Sequence, residues 1–134
     1  MKELVGAWRL VSFEEREANG ETIHPYGERP AGLLVYDASG RMSVQIMRRD
    51  REQLSSNDLN EVAPDELKCA VEGFTAFFGS YEVDEQECTV IHRVEGHLLP
   101  NSVGKNLKRR FELSGNRLIL IPTENRRVVW ERIS

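Results

Sequence analysis

Histidine is the side chain here that titrates nearest neutrality, and His92 is the one that the strand pattern sets among apolar neighbours. It stands between Val90 and Val94 at period-two spacing, so one strand face carries an imidazole among apolar neighbours. Burial there pulls a histidine pKa toward or below neutrality, which suits either a core hydrogen bond or a pocket acid or base. Arg109 alternates in the same way with Leu107, Phe111 and Leu113, so turning that apolar face inward carries a guanidinium with it. A buried unpaired cation is costly, and an inward Arg109 therefore calls for an anionic partner, from the protein or from a ligand. Tyr26, Tyr36 and Tyr81 are suitable hydrogen-bond partners for such a site. Gln45, Phe74, Phe77, Phe111 and Trp130 complete the candidate ligand contacts.

Other chemistries find less footing. His92 and His97 are five residues apart and point to opposite faces of a continuous strand, while His24 lies in another segment, so no metal set is expected. There is neither a Gly-rich phosphate loop nor a Ser nucleophile elbow, so no nucleotide cofactor and no hydrolase triad is expected. A net charge of −4 opposes a nucleic-acid surface, and the pairs Arg48-Arg49 and Arg109-Arg110 read as strand ends. The longest apolar run, Leu33 to Tyr36, is far short of the roughly 20 residues of a membrane span. Met1 to Trp8 carries charge and patterning where a secretory signal would carry an unbroken apolar stretch. Cys69 and Cys88 then read as reduced thiols of a cytoplasmic protein.

The elements that hold these residues are mostly strands. Leu4 to Glu17 is a long first strand, with Trp8, Leu10 and Ser12 on one side and Val11 and Phe13 on the other. Ala31 to Tyr36 and Arg41 to Met47 form a hairpin around Asp37-Ala38-Ser39-Gly40. Arg48 to Val62 is a polar loop at a barrel mouth. Pro64 opens a helix over 64–78, with Leu67, Ala70, Val71, Phe74, Phe77 and Phe78 in one apolar stripe and Gly79 as its stop. Five further strands follow: Ser80 to Asp84, Cys88 to Glu95, Leu107 to Leu113, Arg117 to Ile121 and Arg127 to Ile133. Eight to nine hairpin-linked strands and one helix, in 134 residues, predict a single all-β domain: a closed antiparallel barrel with the helix across one end. Trp8 and Arg132 meet if the first and last strands close it, placing a guanidinium over an indole face.

The segment Leu4-Val5-Gly6-Ala7-Trp8-Arg9-Leu10-Val11-Ser12 resembles the Gly-x-Trp first strand of lipocalins and fatty-acid-binding proteins. Along the chain, Pro25-Tyr26-Gly27, Met42-Ser43-Val44-Gln45, Glu72-Gly73-Phe74, Phe78-Gly79-Ser80-Tyr81-Glu82-Val83, Val90-Ile91-His92, Val94-Glu95-Gly96, Arg109-Arg110-Phe111-Glu112-Leu113 and Val129-Trp130-Glu131-Arg132 resemble the bacterial and fungal lipocalin-like domain family. The resemblance implies a calycin-like barrel and little about activity, although a few relatives act in small-molecule biosynthesis. The chain lacks the helix pair that follows the first strand of fatty-acid-binding proteins, and Ala63 stands where relatives prefer a capping Thr.

Three functions fit. The leading one is binding of a small, largely apolar ligand, with or without a carboxylate or carbonyl, in a cavity of the barrel. The second is an isomerase-, cyclase- or hydratase-like enzyme in which His92, Tyr36 or Arg109 moves a proton or polarises a carbonyl. The third is a barrel filled by its own side chains that serves as an interaction module. An antiparallel barrel can also form a homodimer through its outer face.

Overall fold

The computed structural model describes residues 2–133. Its strands are β1 (Gly6–Arg16), β2 (Thr22–Ile23), β3 (Ala31–Tyr36), β4 (Arg41–Met47), β5 (Phe74–Asp84), β6 (Thr89–His97), β7 (Asn106–Ser114), β8 (Arg117–Thr123) and β9 (Arg126–Arg132), with one α-helix, α1 (Pro64–Glu72). Apart from β2, which adds to the end of β1, each strand pairs antiparallel with its neighbours, and β1 also pairs with β9. The result is a closed eight-stranded barrel with one extra strand, which leaves no long exposed edge. Short turns set the register. Asp37 accepts hydrogen bonds from the Ser39 and Arg41 backbone N–H groups, and Gly40 takes φ +95°, so β3 and β4 begin and end where the sequence predicts.

The helix is shorter than its apolar periodicity suggests. It ends at Glu72, and Phe74, Phe77 and Phe78 belong to β5, which pairs with β4 from Met47↔Phe74 to Arg41↔Ser80. A seven-residue ladder outweighs a helical stripe there, and aromatic residues suit a strand. Gly79 is therefore no helix stop but a mid-strand residue. No α1 side chain is buried. At its start Ala63 offers no side-chain cap; the Glu66 carboxylate instead accepts from the Ala63 N–H and from the Ser55 N–H and hydroxyl.

Three register shifts interrupt the ladders, one of them in β8 between Leu120 and Thr123, and the other two alter which predicted side chains face inward. Leu10 pairs with Trp130 and Ser12 with Val129, so Val11 is an extra residue and Phe13 turns to the inside with Trp8 and Leu10, not away from them. Gly79 pairs with Val94 and Phe78 with Gly96, so Glu95 is extra on β6 and the strand changes phase after it. The core runs through Leu4, Trp8, Leu34, Tyr36, Val90, Leu118 and Trp130, all essentially inaccessible.

At one end the barrel is shut. Arg132 stacks on Trp8 with its guanidinium carbon 4.2 Å from the ring centroid, and it donates hydrogen bonds to the Val5 and Glu3 carbonyls. Trp8 Nε1 donates to the Leu4 carbonyl at 3.0 Å. Gly6, at φ +141°, passes so close that an added Cβ would lie 2.7 Å from the Arg132 guanidinium. Cys69 and Cys88 are exposed and unbridged. No helix among the described residues is long and apolar enough to cross a membrane.

Candidate functional site

The other half of the barrel holds a cavity of about 220 Å³ that opens to solvent. Inward positions of β3, β4, β8 and β9 give it an apolar wall of Leu34, Val44, Ile46, Leu120, Val128 and Trp130. Phe13 and Phe77 add aromatic faces, and His92, His97, Arg109, Arg126, Tyr26 and Thr75 supply the polar atoms. An open groove of about 630 Å³ lies outside the barrel, between α1 and residues 48–54. Arg48 there is paired with Asp50, Glu66 is hydrogen-bonded to Ser55 and Arg51 to the Ala70 carbonyl, whereas the barrel interior holds buried polar groups with no partner. The interior is the candidate site on that ground.

Arg109 lies in the middle of β7, not at a strand end, and faces the cavity. It has no hydrogen bond or ion pair among the described residues. Burial and the nearby Arg126 lower its pKa from the ordinary guanidinium value, and Tyr36 acts weakly the other way. Arg126 is better served: it pairs with Glu15 at 2.5 Å and lies over the Phe13 ring. The cavity lining contains no Asp or Glu. Arg109 is thus the cation left without a counter-charge.

His92 is 2% exposed, and its Nε2 lies 2.6 Å from the Tyr36 hydroxyl. Burial, with Arg109 nearby, lowers the His92 pKa to about 3, and burial raises that of Tyr36 well above its usual value. Tyr36 therefore keeps its proton and His92 stays neutral. The hydroxyl donates to Nε2, because the reverse arrangement would strand both the tyrosine proton and the Nδ1 lone pair. His92 Nδ1 then carries the imidazole proton, and it has no partner; neither has Trp130 Nε1. His97 accepts the Leu99 N–H at Nδ1 and stacks on Phe77 at 5.3 Å, which leaves its Nε2 as the protonated nitrogen.

A depressed histidine pKa has a definite sign in folding. Between pH 6.5 and 3 the unfolded chain binds the proton that folded His92 refuses, so stability falls as pH drops through that window and is unaffected above it. The slope contributed is at most about 1.4 kcal/mol per pH unit. Urea melts of the parent and His92→Phe at a series of pH values should show a flatter acid limb in the variant. Parallel limbs would refute the buried neutral imidazole.

Of the residues expected at the site, Tyr26, Phe77, His92, Arg109 and Trp130 line the cavity. Tyr36 stands behind His92 as its hydrogen-bond partner, and Tyr81 packs on Tyr36 at 4.6 Å while its hydroxyl donates to the Asp37 carbonyl. Phe111 is buried in the core without reaching the cavity. Gln45 does not belong: it alternates with buried Val44 and Ile46, lies on the outer face and donates to the Ser43 hydroxyl. Phe74 is likewise outside, under the Arg51 guanidinium. Helix α1 contributes no lining residue, so it is not the lid of this cavity. His97 was expected opposite His92; the Glu95 bulge turns both into one cavity. Among the described residues no cluster of three His, Cys, Asp or Glu side chains suits a metal. Phe13 and Arg126 escaped the sequence reading, the first because a bulge inverted its face and the second because nothing local marks it.

The closed β1–β9 seam, the Gly6-Ala7-Trp8 strand under Arg132 and the central cavity are accompanied by a family match: residues 5–133 fit the family described as lipocalin-like domain. The chain belongs to that family. A search of curated proteins finds no match. Lipocalin-like barrels suit the binding of small molecules in general, and here the container is present with space inside it.

Proposed function

We propose that this lipocalin-like barrel binds a small, largely apolar ligand through a carboxylate seated on Arg109. The observation that carries this reading is the unpaired guanidinium facing a mostly apolar cavity. Arg109 is partly buried, so its charge is incompletely solvated in the empty protein and better compensated in a complex that brings an anion. The cavity volume of about 220 Å³ lies below the roughly 300–1,000 Å³ usual for drug-sized ligands, which favours a compact acid. The interior space argues against a barrel filled by its own side chains. Proton-transfer catalysis by the Tyr36–His92 pair is disfavoured, because one partner holds its proton tightly and the other refuses it near neutrality. Two exposed free thiols support a place in the reducing cytoplasm.

Native mass spectrometry of freshly purified protein tests for a retained acid, and titration with phenylbutyrate tests the anchor. Arg109→Gln should weaken phenylbutyrate binding by roughly ten- to a hundredfold, the worth of a charge-assisted hydrogen-bonded pair. The same variant should be at least as stable as the parent without ligand, because it removes an uncompensated charge. Equal affinity in parent and variant would dispose of the carboxylate anchor.

A further inference from the structure

Two guanidiniums line the cavity, and they differ in what holds them. Arg109 stands on β7 and Arg126 on β9, with β8 between them. Arg110 pairs with Ile121 and Thr123 with Arg126, which puts both arginines at nearly one level of the barrel wall. The next strand around is β1, where Glu15 lies directly opposite Arg126. Its Oε1 accepts from Arg126 Nε at 3.1 Å and from Nη2 at 2.5 Å, and the Phe13 ring lies under the same guanidinium. Arg126 is thus both clamped and neutralised, and Arg109 is neither. The other titratable groups of the lining add no charge near neutral pH, because burial lowers the pKa of His92 and of His97 and raises that of Tyr26. Lys105, which acts on His97 through its charge, is exposed and is no part of the lining. The balance is one positive charge, and it sits on Arg109.

We infer that Glu15 fixes the charge class of the ligand: because it occupies Arg126, the cavity compensates one negative charge on Arg109 and disfavours a second. The ligand is then a compact monocarboxylic acid, and dicarboxylates and phosphate monoesters are excluded. This rests on the carboxylate reading above and adds what discriminates among acids. A second anionic group in this space has two choices. It must displace Glu15 from Arg126, or lie unpaired close to the Glu15 carboxylate, and each is less favourable than binding a monoanion. With Arg126 released, the same two arginines would suit a dianion; one carboxylate on β1 reverses that preference. Glu15 is no part of the lining itself, so it is a positioning residue that acts through Arg126.

Phenylbutyrate and phenylsuccinate have equal numbers of carbon atoms and differ by one carboxylate, ionised near neutral pH, so they form the test pair. The parent should bind phenylbutyrate roughly tenfold or more tightly, the scale of one unmatched charge in a half-buried site. Glu15→Gln releases Arg126 and should narrow that ratio roughly tenfold, chiefly by raising phenylsuccinate affinity. Arg126→Gln instead leaves the Glu15 carboxylate unpaired and should widen it. Opposite movements in two variants that break the same ion pair cannot come from loosening of the β1–β9 seam, which would act alike in both. The double variant should return the ratio toward that of the parent. Phenylsuccinate bound by the parent as tightly as phenylbutyrate would overturn the role of Glu15, as would a ratio that stays fixed or moves in the same direction in the two single variants. Either result leaves the carboxylate reading standing so long as Arg109→Gln weakens phenylbutyrate. Phenylbutyrate binding that is absent, or indifferent to Arg109→Gln, would remove the carboxylate reading and this inference with it.

Discussion

Trp8→Ala should lower the unfolding free energy by about 3–5 kcal/mol, the usual cost of truncating a buried large aromatic. Three losses meet at this position. The indole is fully buried between the first and last strands, so its removal opens a void at the β1–β9 seam. Its N–H no longer satisfies the Leu4 carbonyl. The guanidinium of Arg132 loses the ring it covers, an interaction worth about 0.5–2 kcal/mol that overlaps with the other two. Trp8→Phe separates the contributions, because it keeps most of the burial and gives up the hydrogen bond and part of the cation–π attraction; about 1–2 kcal/mol is expected. Denaturant melts should move in midpoint at constant slope. A cost below about 1 kcal/mol for Trp8→Ala would mean that the seam is closed by the backbone ladder alone.

The same seam was legible in the sequence because its parts are local: a Gly-x-Trp strand at one terminus and an arginine near the other. The β3–β4 hairpin was legible for a similar reason, since Asp37 and Gly40 announce the turn and alternation does the rest. The stretch after Pro64 was not. Leu67, Ala70, Val71, Phe74, Phe77 and Phe78 satisfy a helical period, and nothing within the segment reveals that β4 is waiting to pair with its second half. Of the cavity-lining residues, the inward facing of His92 and Arg109 was legible by alternation because β6 and β7 are regular around them. Phe13 and His97 were misassigned because each follows a bulge, and one inserted residue inverts every face beyond it.

That second bulge depends on one glycine, which leads to the largest effect expected of a minimal substitution. A Cβ at Gly79 would lie 1.9 Å from the Arg93 carbonyl oxygen and 3.0 Å from the Glu95 nitrogen. Both are backbone atoms of β6, so no side-chain rotation relieves the overlap; the two strands must separate or the bulge must be lost. Gly79→Ala should therefore cost about 3 kcal/mol or more. Gly40→Ala is the control: it is strained by a φ of +95° but has open space around it, so about 1 kcal/mol is expected. If Gly79→Ala folds by straightening β6, His97 leaves the cavity while His92 stays, and the backbone bonds between Val94 and the 104–105 turn are broken. Amide exchange at Val94 and Gly104 should then quicken far more than at Val90, whose part of β6 lies before the bulge. A variant no less stable than Gly40→Ala, with unchanged exchange at those two amides, would show that the close approach of β5 and β6 at Gly79 does not hold the bulge in place.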